Sequence, residues 1–289
     1  MNQRIKKAIK PVIKRIIASR DNEPIHDTLR RHQVNFYRRI DSKKYGADEL
    51  RQTLKGLGIG NGDTLVVHCQ WRSLYGFDGS PNLFIQVLQE LVGESGTILM
   101  PSYGYDSHRL SILETPSITG VLSETFRKEP GVIRVGVPVF TMSCWGADAT
   151  YYLKRSLKCR YGFDEYSPYG SAIGKQAKVL LVGMGKASDK ISAFHYSVWK
   201  HRRSKQYESI WQQFKWSCKY EDESIREVAA IGKKRELKND RRMFKRVFRK
   251  VEKSVASIGL MDLVLFDAQK AVEVCDECIE HGIQLYKIS

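Results

Sequence analysis

The sequence predicts an α/β fold: a layered α/β/α domain with a mixed central sheet, plus a charged helical C-terminal region. Three short apolar runs, at residues 65–68, 97–100 and 179–183, have the length and composition of buried strands. The last run has no polar face, which is typical of a strand that helices cover on both sides. Segments with helical spacing separate these runs, and such alternation of helices and strands indicates a layered α/β domain.

The remaining elements follow from periodicity and from the positions of glycine and proline. In chain order we expect a helix at 47–57 ended by Gly58, a helix at 81–92 ended by Gly93, a helix at 118–126, a strand at 132–141 interrupted at Gly136 and Pro138, a basic helix at 241–250, an apolar run at 258–266 and a helix at 268–279.

Composition divides the chain into a basic N-terminal helical segment, 1–44, and one α/β domain, 45–289. Residues 200–255 are rich in Lys, Arg and Glu, and we expect them to form a charged helical insertion or cap. Residues 1–20 have the pattern of a basic amphipathic helix, which could lie on an anionic membrane surface or dock on the body or a partner chain. The basic residues there exclude a signal peptide, and no apolar run approaches 18 residues. We therefore expect a cytoplasmic protein, with residues 1–20 as its one candidate membrane contact.

The charge balance restricts the partners. The chain carries 48 Lys and Arg against 32 Asp and Glu, a formal net charge of +16. Such a field attracts phosphates, nucleotides, nucleic acid or an acidic membrane face, and it repels polycations. The six cysteines are spread over a long chain, as is typical of reduced thiols. Cys275 and Cys278 form a lone C-x-x-C with no second pair, so we expect no metal site.

Two histidines are the candidate catalytic residues. His68 ends the first apolar run, and His195 ends the short apolar stretch 191–195, which follows the strand at 179–183. Histidine exchanges protons near neutral pH, and polar residues where buried strands emerge commonly build sites in α/β folds. A histidine beside apolar residues can equally be a buried core residue. This placement favours an enzyme.

A glycine-containing loop follows the first strand and precedes a helix. Glycines let backbone amides approach a ligand, the helix N-terminus at Ser80 offers free N–H groups, and Arg72 adds a forked donor for phosphate. The loop residues are Arg72, Ser73, Gly76, Gly79 and Ser80. Their spacing matches neither a Walker loop nor the Rossmann fingerprint, so they form either a phosphate loop or an ordinary strand-to-helix turn.

The order of short motifs along residues 45–200 resembles the aminoglycoside 3-N-acetyltransferase family. No single motif is specific, and the shared order carries the resemblance. The motifs are 62–68 ending in His68, Arg72-Ser73 with Gly76 and Gly79, Val92-Gly93 to Pro101, Thr115-Pro116 through Gly120 and Glu124 to Arg127, Pro130-Gly131 to Arg134, Ser143 with Gly146 and Ala149, Tyr161-Gly162 to Pro168, the strand 179–183, and the His195 segment.

The resemblance implies transfer of an acyl group from coenzyme A to an amino group on a sugar, with no metal and no acyl-enzyme. His195 would deprotonate the amine and His68 would shape the floor of the site. Coenzyme A would be held by the loop from Arg72 to Ser80 together with Ser102. Backbone N–H groups near 69–73 would face the developing oxyanion. The acceptor would contact Tyr103, Asp106 and Glu124. A thiol nucleophile at Cys69 is disfavoured, because adjacent strand residues point to opposite faces.

Three departures from the family pattern bear on the acceptor. The family's glutamate three residues after the histidine is Val198 here, its His-Pro pair is Val137-Pro138, and its serine two residues after the first histidine is Gln70. Without the glutamate, His195 lacks its expected partner and a cationic acceptor lacks a counter-charge. Either another acid, such as Asp106, Glu124 or Asp164, takes this role, or the substrate differs.

Charge and the missing glutamate together favour an anionic acceptor. We therefore expect an acyltransferase acting on a nucleotide-linked amino sugar for surface polysaccharide synthesis. One alternative is an aminoglycoside 3-N-acetyltransferase that confers antibiotic resistance. A second is a non-enzymatic protein that binds nucleic acid or membrane, although no nucleic-acid recognition motif supports base readout. A homodimer is compatible with the sequence.

Overall fold

The computed structural model describes residues 25–40, 43–104, 109–186 and 188–288. The basic segment 1–20 lies outside these residues, and so does Asp106. The helices described are α1 (Ile25–Ile40), α2 (Ala47–Leu57), α3 (Pro81–Val92), α4 (Val121–Arg127), α5 (Ala149–Ser156), α6 (Pro168–Gly174), α7 (Ala193–Lys200), α8 (Arg241–Lys250) and α9 (Ala268–Glu280).

The strands described are β1 (Thr64–Cys69), β2 (Thr97–Pro101), β3 (Arg109–Ser111), β4 (Ile133–Val135), β5 (Met142–Gly146), β6 (Lys178–Val182), β7 (Trp211–Lys219), β8 (Ile225–Lys233), β9 (Leu237–Asn239), β10 (Ser254–Ile258), β11 (Met261–Asp267) and β12 (Tyr286–Ile288). None of the helices in this part of the chain is both long and apolar enough to cross a membrane.

The central sheet has seven strands in the order β10-β11-β6-β1-β2-β5-β4. The three middle strands are parallel, with Val66 of β1 paired with Val179 of β6 and with Leu99 of β2. Antiparallel strands extend the sheet at both sides, β11 and β10 beyond β6, and β5 and β4 beyond β2. The predicted mixed central sheet is confirmed.

Each face of the sheet is covered by its own hydrophobic core. Leu65 and Val67 of β1 face the core formed with α2, α3 and α4. Val66 faces the opposite core, to which α6, α7, α8 and α9 contribute. Alternate residues of one strand therefore serve two cores, as expected for a strand buried on both faces. This arrangement confirms the predicted α/β/α layers.

The prediction of a helical segment at 200–255 is wrong for most of its length. Only α8 is an extended helix there, while β7 and β8 form a long antiparallel hairpin. The hairpin shows the two-residue alternation of strands: Trp216 and Cys218 are buried, and the intervening Ser217 is not. Charged residues on the exposed face hide this alternation when composition alone is considered.

Two other stretches contain more strands than expected. The predicted strand at 132–141 ends as β4 at Val135, because the chain turns at Gly136 with φ +106° and then enters the single turn Pro138–Phe140. β5 follows as a separate strand that the sequence did not indicate. The apolar run at 258–266 belongs to two strands, β10 and β11, joined by a turn at Gly259 with φ +56°.

The buried guanidinium of Arg134 ties the end of β2 to the segment after β3. It donates to the main-chain oxygens of Thr115, at 2.7 Å, and of Ser102, and to Oγ1 of Thr141, at 3.2 Å. Burial lowers the pKa of Arg134 to about 10, so it remains protonated at neutral pH. Arg134 therefore supplies a donor to the partly buried carbonyl of Thr115 and a second donor to that of Ser102, which also accepts from Oγ1 of Thr141.

Replacing Arg134 with Met should lower the free energy of unfolding by about 2–4 kcal/mol, because the carbonyls of Ser102 and Thr115 each lose a charged donor. Urea denaturation measures the effect. The matched control is Arg226→Met on β8, whose guanidinium is 62% exposed and pairs with Asp222. That variant should stay within about 0.5 kcal/mol of the wild type. Equal stability of the two variants would contradict the role given to Arg134.

Candidate active site

A cavity of about 300 Å³ opens beside the carboxyl end of β2, where Pro101, Thr141 and Met142 form part of its wall. Aromatic rings make up most of the remaining wall, and the polar groups are few. The aromatic residues are Tyr103, Phe140, Tyr161, Phe163, Tyr169 and Tyr286, and the other polar residues are Ser192, His195, Lys233 and Asn239. A mostly apolar cavity with a few converging polar groups is the usual form of a small-molecule site.

His195 lies in the first turn of α7, with its main-chain N–H bonded to the carbonyl of Ser192 at 3.0 Å. Its ring packs against Phe163 and Phe244, with centroid separations of 4.9 and 5.3 Å. Burial, aided by the charge of Lys233, lowers the pKa of His195 to about 3. The imidazole is therefore neutral at pH 7, which is the form that can accept a proton.

Nδ1 of His195 is 2.5 Å from the hydroxyl of Tyr286, and the two rings stack at 25°. Tyr286 reaches the cavity because β12 pairs with β9, where Tyr286 lies opposite Asn239. Sequence reasoning missed Tyr286. These two residues are 91 positions apart, and no local pattern in the sequence joins them.

Lys233 is the cationic residue of the cavity wall. It ends β8, is partly buried, and donates from Nζ to the carbonyl of Leu237. The same Nζ lies 5.3 Å from the centroid of the Tyr286 ring. Within the described ranges no carboxylate lines the cavity. Val198, which occupies the position of the family's glutamate, is fully buried in the core behind α7.

Two of the acids proposed to replace that glutamate are engaged elsewhere. Asp164 is buried, and its Oδ2 accepts from the N–H groups of Arg160 and Tyr161. Its Oδ1 accepts from the N–H groups of Tyr166 and Ser167. Asp164 thus shapes the loop that carries Tyr161 and does not line the cavity.

Glu124 also lies away from the cavity wall. It forms an ion pair with Arg127 at 2.8 Å and accepts from the N–H of Ser117 at 2.7 Å. The hydrogen bond from Arg127 is the largest cause that lowers the pKa of Glu124 to about 2, which keeps it ionised. Its position within α4 makes it a link between that helix and the preceding loop.

The other predicted residues near the strand ends are distributed around the cavity. Tyr103 lines it directly. His68 lies behind the wall, its ring 6.2 Å from that of Tyr169, and burial lowers the pKa of His68 to about 4. Nε2 of His68 has no hydrogen-bond partner among the residues described. Ser102 is fully buried, and its N–H donates to the carbonyl of Thr141 at 2.9 Å.

The predicted coenzyme loop is not part of the cavity wall. Arg72 is exposed, and Ser80 caps α3 by accepting from the N–H of Leu83 at 3.2 Å. A side chain at Gly76 would collide with the carbonyl of Lys43, so this glycine is needed for packing of the chain on itself. Gly79 is likewise closed in by the ring of Phe77.

In the turn after β1, some main-chain amides are already hydrogen-bonded and others could donate to an oxyanion. The N–H of Gln70 donates to Val182, at 2.9 Å, and that of Ser73 to Gln70, at 2.8 Å. The amides of Trp71 and Arg72 begin the turn Trp71–Ser73 and have no main-chain acceptor in the structure described. Burial raises the pKa of the Cys69 thiol, which makes a thiolate at this position unfavourable.

Solved structures of aminoglycoside acetyltransferases share this fold. Acetyltransferase AAC(3)-Xa superimposes with a TM-score of 0.72 at 18% identity, covering 87% of this chain and 98% of that one. AAC-IIIb, solved as a binary complex with CoASH, gives a TM-score of 0.69 at 19% identity over 83% and 97% of the two chains. AAC-VIa bound to sisomicin gives 0.69 at 20% identity over 83% and 98%.

The sequence profile of the aminoglycoside 3-N-acetyltransferase family matches residues 66–280. The chain belongs to this family. Among curated relatives, the aminoglycoside N(3')-acetyltransferase-like protein YokD of Bacillus subtilis is 28% identical over 52% of this chain and 64% of its own length. Aminoglycoside N(3)-acetyltransferase IV of a Salmonella species is 31% identical over 47% and 53%. The chain thus spans between half and two thirds of the relatives it matches.

Replacing Asp164 with Asn should lower the free energy of unfolding by about 2–3 kcal/mol. An amide can replace only one of the two accepting oxygens, and its NH₂ group would face main-chain N–H donors. Urea denaturation, with near-ultraviolet circular dichroism to follow the packing of Tyr161, measures the effect. Asp222→Asn is the control, since Asp222 is exposed and accepts from Ser224 in a surface turn. A loss no larger than in that control would contradict the role of Asp164.

Proposed function

We propose that the protein is a coenzyme A-dependent N-acyltransferase that acts on an amino group of an amino sugar, and that residues 45–289 form the acyltransferase domain. The observation that carries the proposal is the neutral imidazole of His195, held by Tyr286 at the wall of an aromatic cavity. Membership of the family and the CoASH complex of AAC-IIIb support the donor. The aromatic residues of the cavity wall support an amino sugar as the acceptor, because the faces of sugar rings stack on such side chains.

In the proposed reaction the amine nitrogen attacks the thioester carbonyl of acyl-CoA. The C–N bond forms, the C–S bond breaks, and coenzyme A leaves as the thiol. Nε2 of His195 accepts the proton that the nitrogen loses, because Nδ1 is engaged by Tyr286. The amides of Trp71 and Arg72 are the candidates to stabilise the oxyanion, and exposed Arg72 is the candidate to pair with a phosphate of the donor.

The first candidate acceptor is an aminoglycoside, as in the alternative reading of the sequence. The family profile and the names of the curated relatives both support it. AAC-VIa, which has the same fold, was solved with sisomicin bound. None of these relatives is named for a nucleotide sugar, so the comparisons support the aminoglycoside better than the acceptor that the sequence favoured.

The second candidate is a nucleotide-linked amino sugar, and one observation favours it. Lys233 lies in the cavity wall, while the carboxylates Asp164 and Glu124 are bound elsewhere. A polycation would meet a like charge there with no counter-charge from the described lining, and the net charge of +16 would repel it at longer range. A diphosphate-bearing acceptor would be attracted instead.

Replacing His195 with Ala should lower kcat by roughly 10²–10⁴-fold, the usual contribution of a general base. Thiol release from acetyl-CoA, with aminoglycosides and nucleotide-linked amino sugars tested separately, measures it. His201→Ala is the matched control, since His201 follows the same helix and contacts Asp276 at 3.3 Å. Full activity of the His195 variant would exclude this residue as the base.

Replacing Lys233 with Glu should reverse the charge preference of the cavity. Since a single charge contact of this kind is worth on the order of 1 kcal/mol, KM should rise about fivefold for an anionic acceptor and fall about fivefold for an aminoglycoside. Lys215→Glu is the control, because its side chain on the adjacent strand is 77% exposed. Lys233→Gln separates loss of the cation from gain of the acid. Unchanged KM values for both acceptor classes would remove the support for the second candidate.

A further inference from the structure

We propose that Tyr286 is a positioning residue that sets the tautomer of His195, in place of the carboxylate that the family places three residues after this histidine. The inference rests on the proposed function of His195 as the base. Its structural basis is the hydrogen bond between the Tyr286 hydroxyl and Nδ1, together with the stacking of the two rings.

The Tyr286 side of the contact is buried, and the His195 side lines the cavity. Tyr286 is 6% exposed, so water has limited access to its hydroxyl, whereas His195 is partly buried. The 2.5 Å separation between Nδ1 and the phenolic oxygen is that of a strong hydrogen bond. Stacking of the two rings, with centroids 5.7 Å apart, limits rotation of the imidazole.

The direction of the hydrogen bond follows from the proposed role of His195 as the base. The hydroxyl oxygen of Tyr286 can accept from Nδ1–H of His195. The imidazole proton is then on Nδ1, and Nε2 carries the lone pair that accepts the proton from the substrate amine. Burial raises the pKa of Tyr286, so the phenol stays neutral.

A neutral partner differs from an acid in its effect on the base. A carboxylate beside Nδ1 would stabilise the imidazolium. The phenol orients the ring without introducing a negative charge beside Lys233. As a consequence the imidazolium is only weakly stabilised, and the departing thiolate of coenzyme A is the group to which its proton passes.

The test compares Tyr286→Phe with Tyr207→Phe. Tyr207 is a matched control, because its buried hydroxyl belongs to the same cluster and accepts from the N–H of Leu285, yet bonds to Gln206 and not to His195. NMR of isotope-labelled histidine, assigned with the His195→Ala variant, reports which ring nitrogen carries the proton. Thiol-release kinetics report kcat and KM for the same proteins.

In the wild type and in Tyr207→Phe we expect the proton on Nδ1. In Tyr286→Phe it should move to Nε2, and kcat should fall roughly 10- to 100-fold, a part of what a general base contributes, with KM for acyl-CoA unchanged.

An unchanged tautomer in Tyr286→Phe, or a kcat within twofold of the wild type, would overturn the inference. The NMR measurement needs no turnover, so it tests the positioning of His195 even with an unsuitable acceptor. Full activity of His195→Ala would instead contradict the proposed function itself. Failure of the inference about Tyr286 and failure of the proposed function therefore give different results.

Discussion

The parallel pairing of β1 with β6 is the constraint on which the rest of the molecule depends. Five residue pairs fix its register, from Leu65 opposite Lys178 to Cys69 opposite Val182. This register places the turn after β1 beside the chain that leaves β6, and the N–H of Gln70 bonds to Val182 across it. α7 and His195 follow from that edge. β11 then adds antiparallel to the free side of β6, from Leu263 opposite Val182 to Asp267 opposite Lys178. α9 follows from the opposite edge of the sheet.

The site combines an aromatic enclosure with a scarcity of charge. Phe163 and Phe244 pack against His195, and burial is the main reason for its lowered pKa. As the proposed base, His195 would be unprotonated at neutral pH but would hold a proton poorly, so its efficiency would depend on rapid transfer to the leaving group. Lys233 strengthens the same tendency by its positive charge. Burial and charge thus act together to keep the imidazole neutral.

Much of the fold could be predicted from the sequence, because the strands at 65–68, 97–100 and 179–183 are continuous apolar runs. Such runs are visible from composition alone. The hairpin of β7 and β8 could not, since its exposed face is charged and only residues such as Trp216 and Cys218 mark the buried one. His195 was found by its position after a buried strand. Tyr286 and Lys233 were not, because they join the cavity through long-range strand pairing. Gly76 lies in a loop whose glycines suggested ligand binding. In the structure its lack of a side chain allows close packing against the carbonyl of Lys43.

The departure from the family pattern at Val198 and the contact between Tyr286 and His195 are consistent with each other. Loss of the glutamate at Val198 would leave His195 without an orienting partner, and Tyr286 occupies Nδ1 instead. Tyr286 is brought there by pairing of β12 with β9, and its ring lies under Lys233, which belongs to the hairpin. The hydrogen-bond partner of His195 and the cation of the cavity therefore come from the same C-terminal region. Under the proposed function, a change of acceptor would involve the hairpin and β12 together.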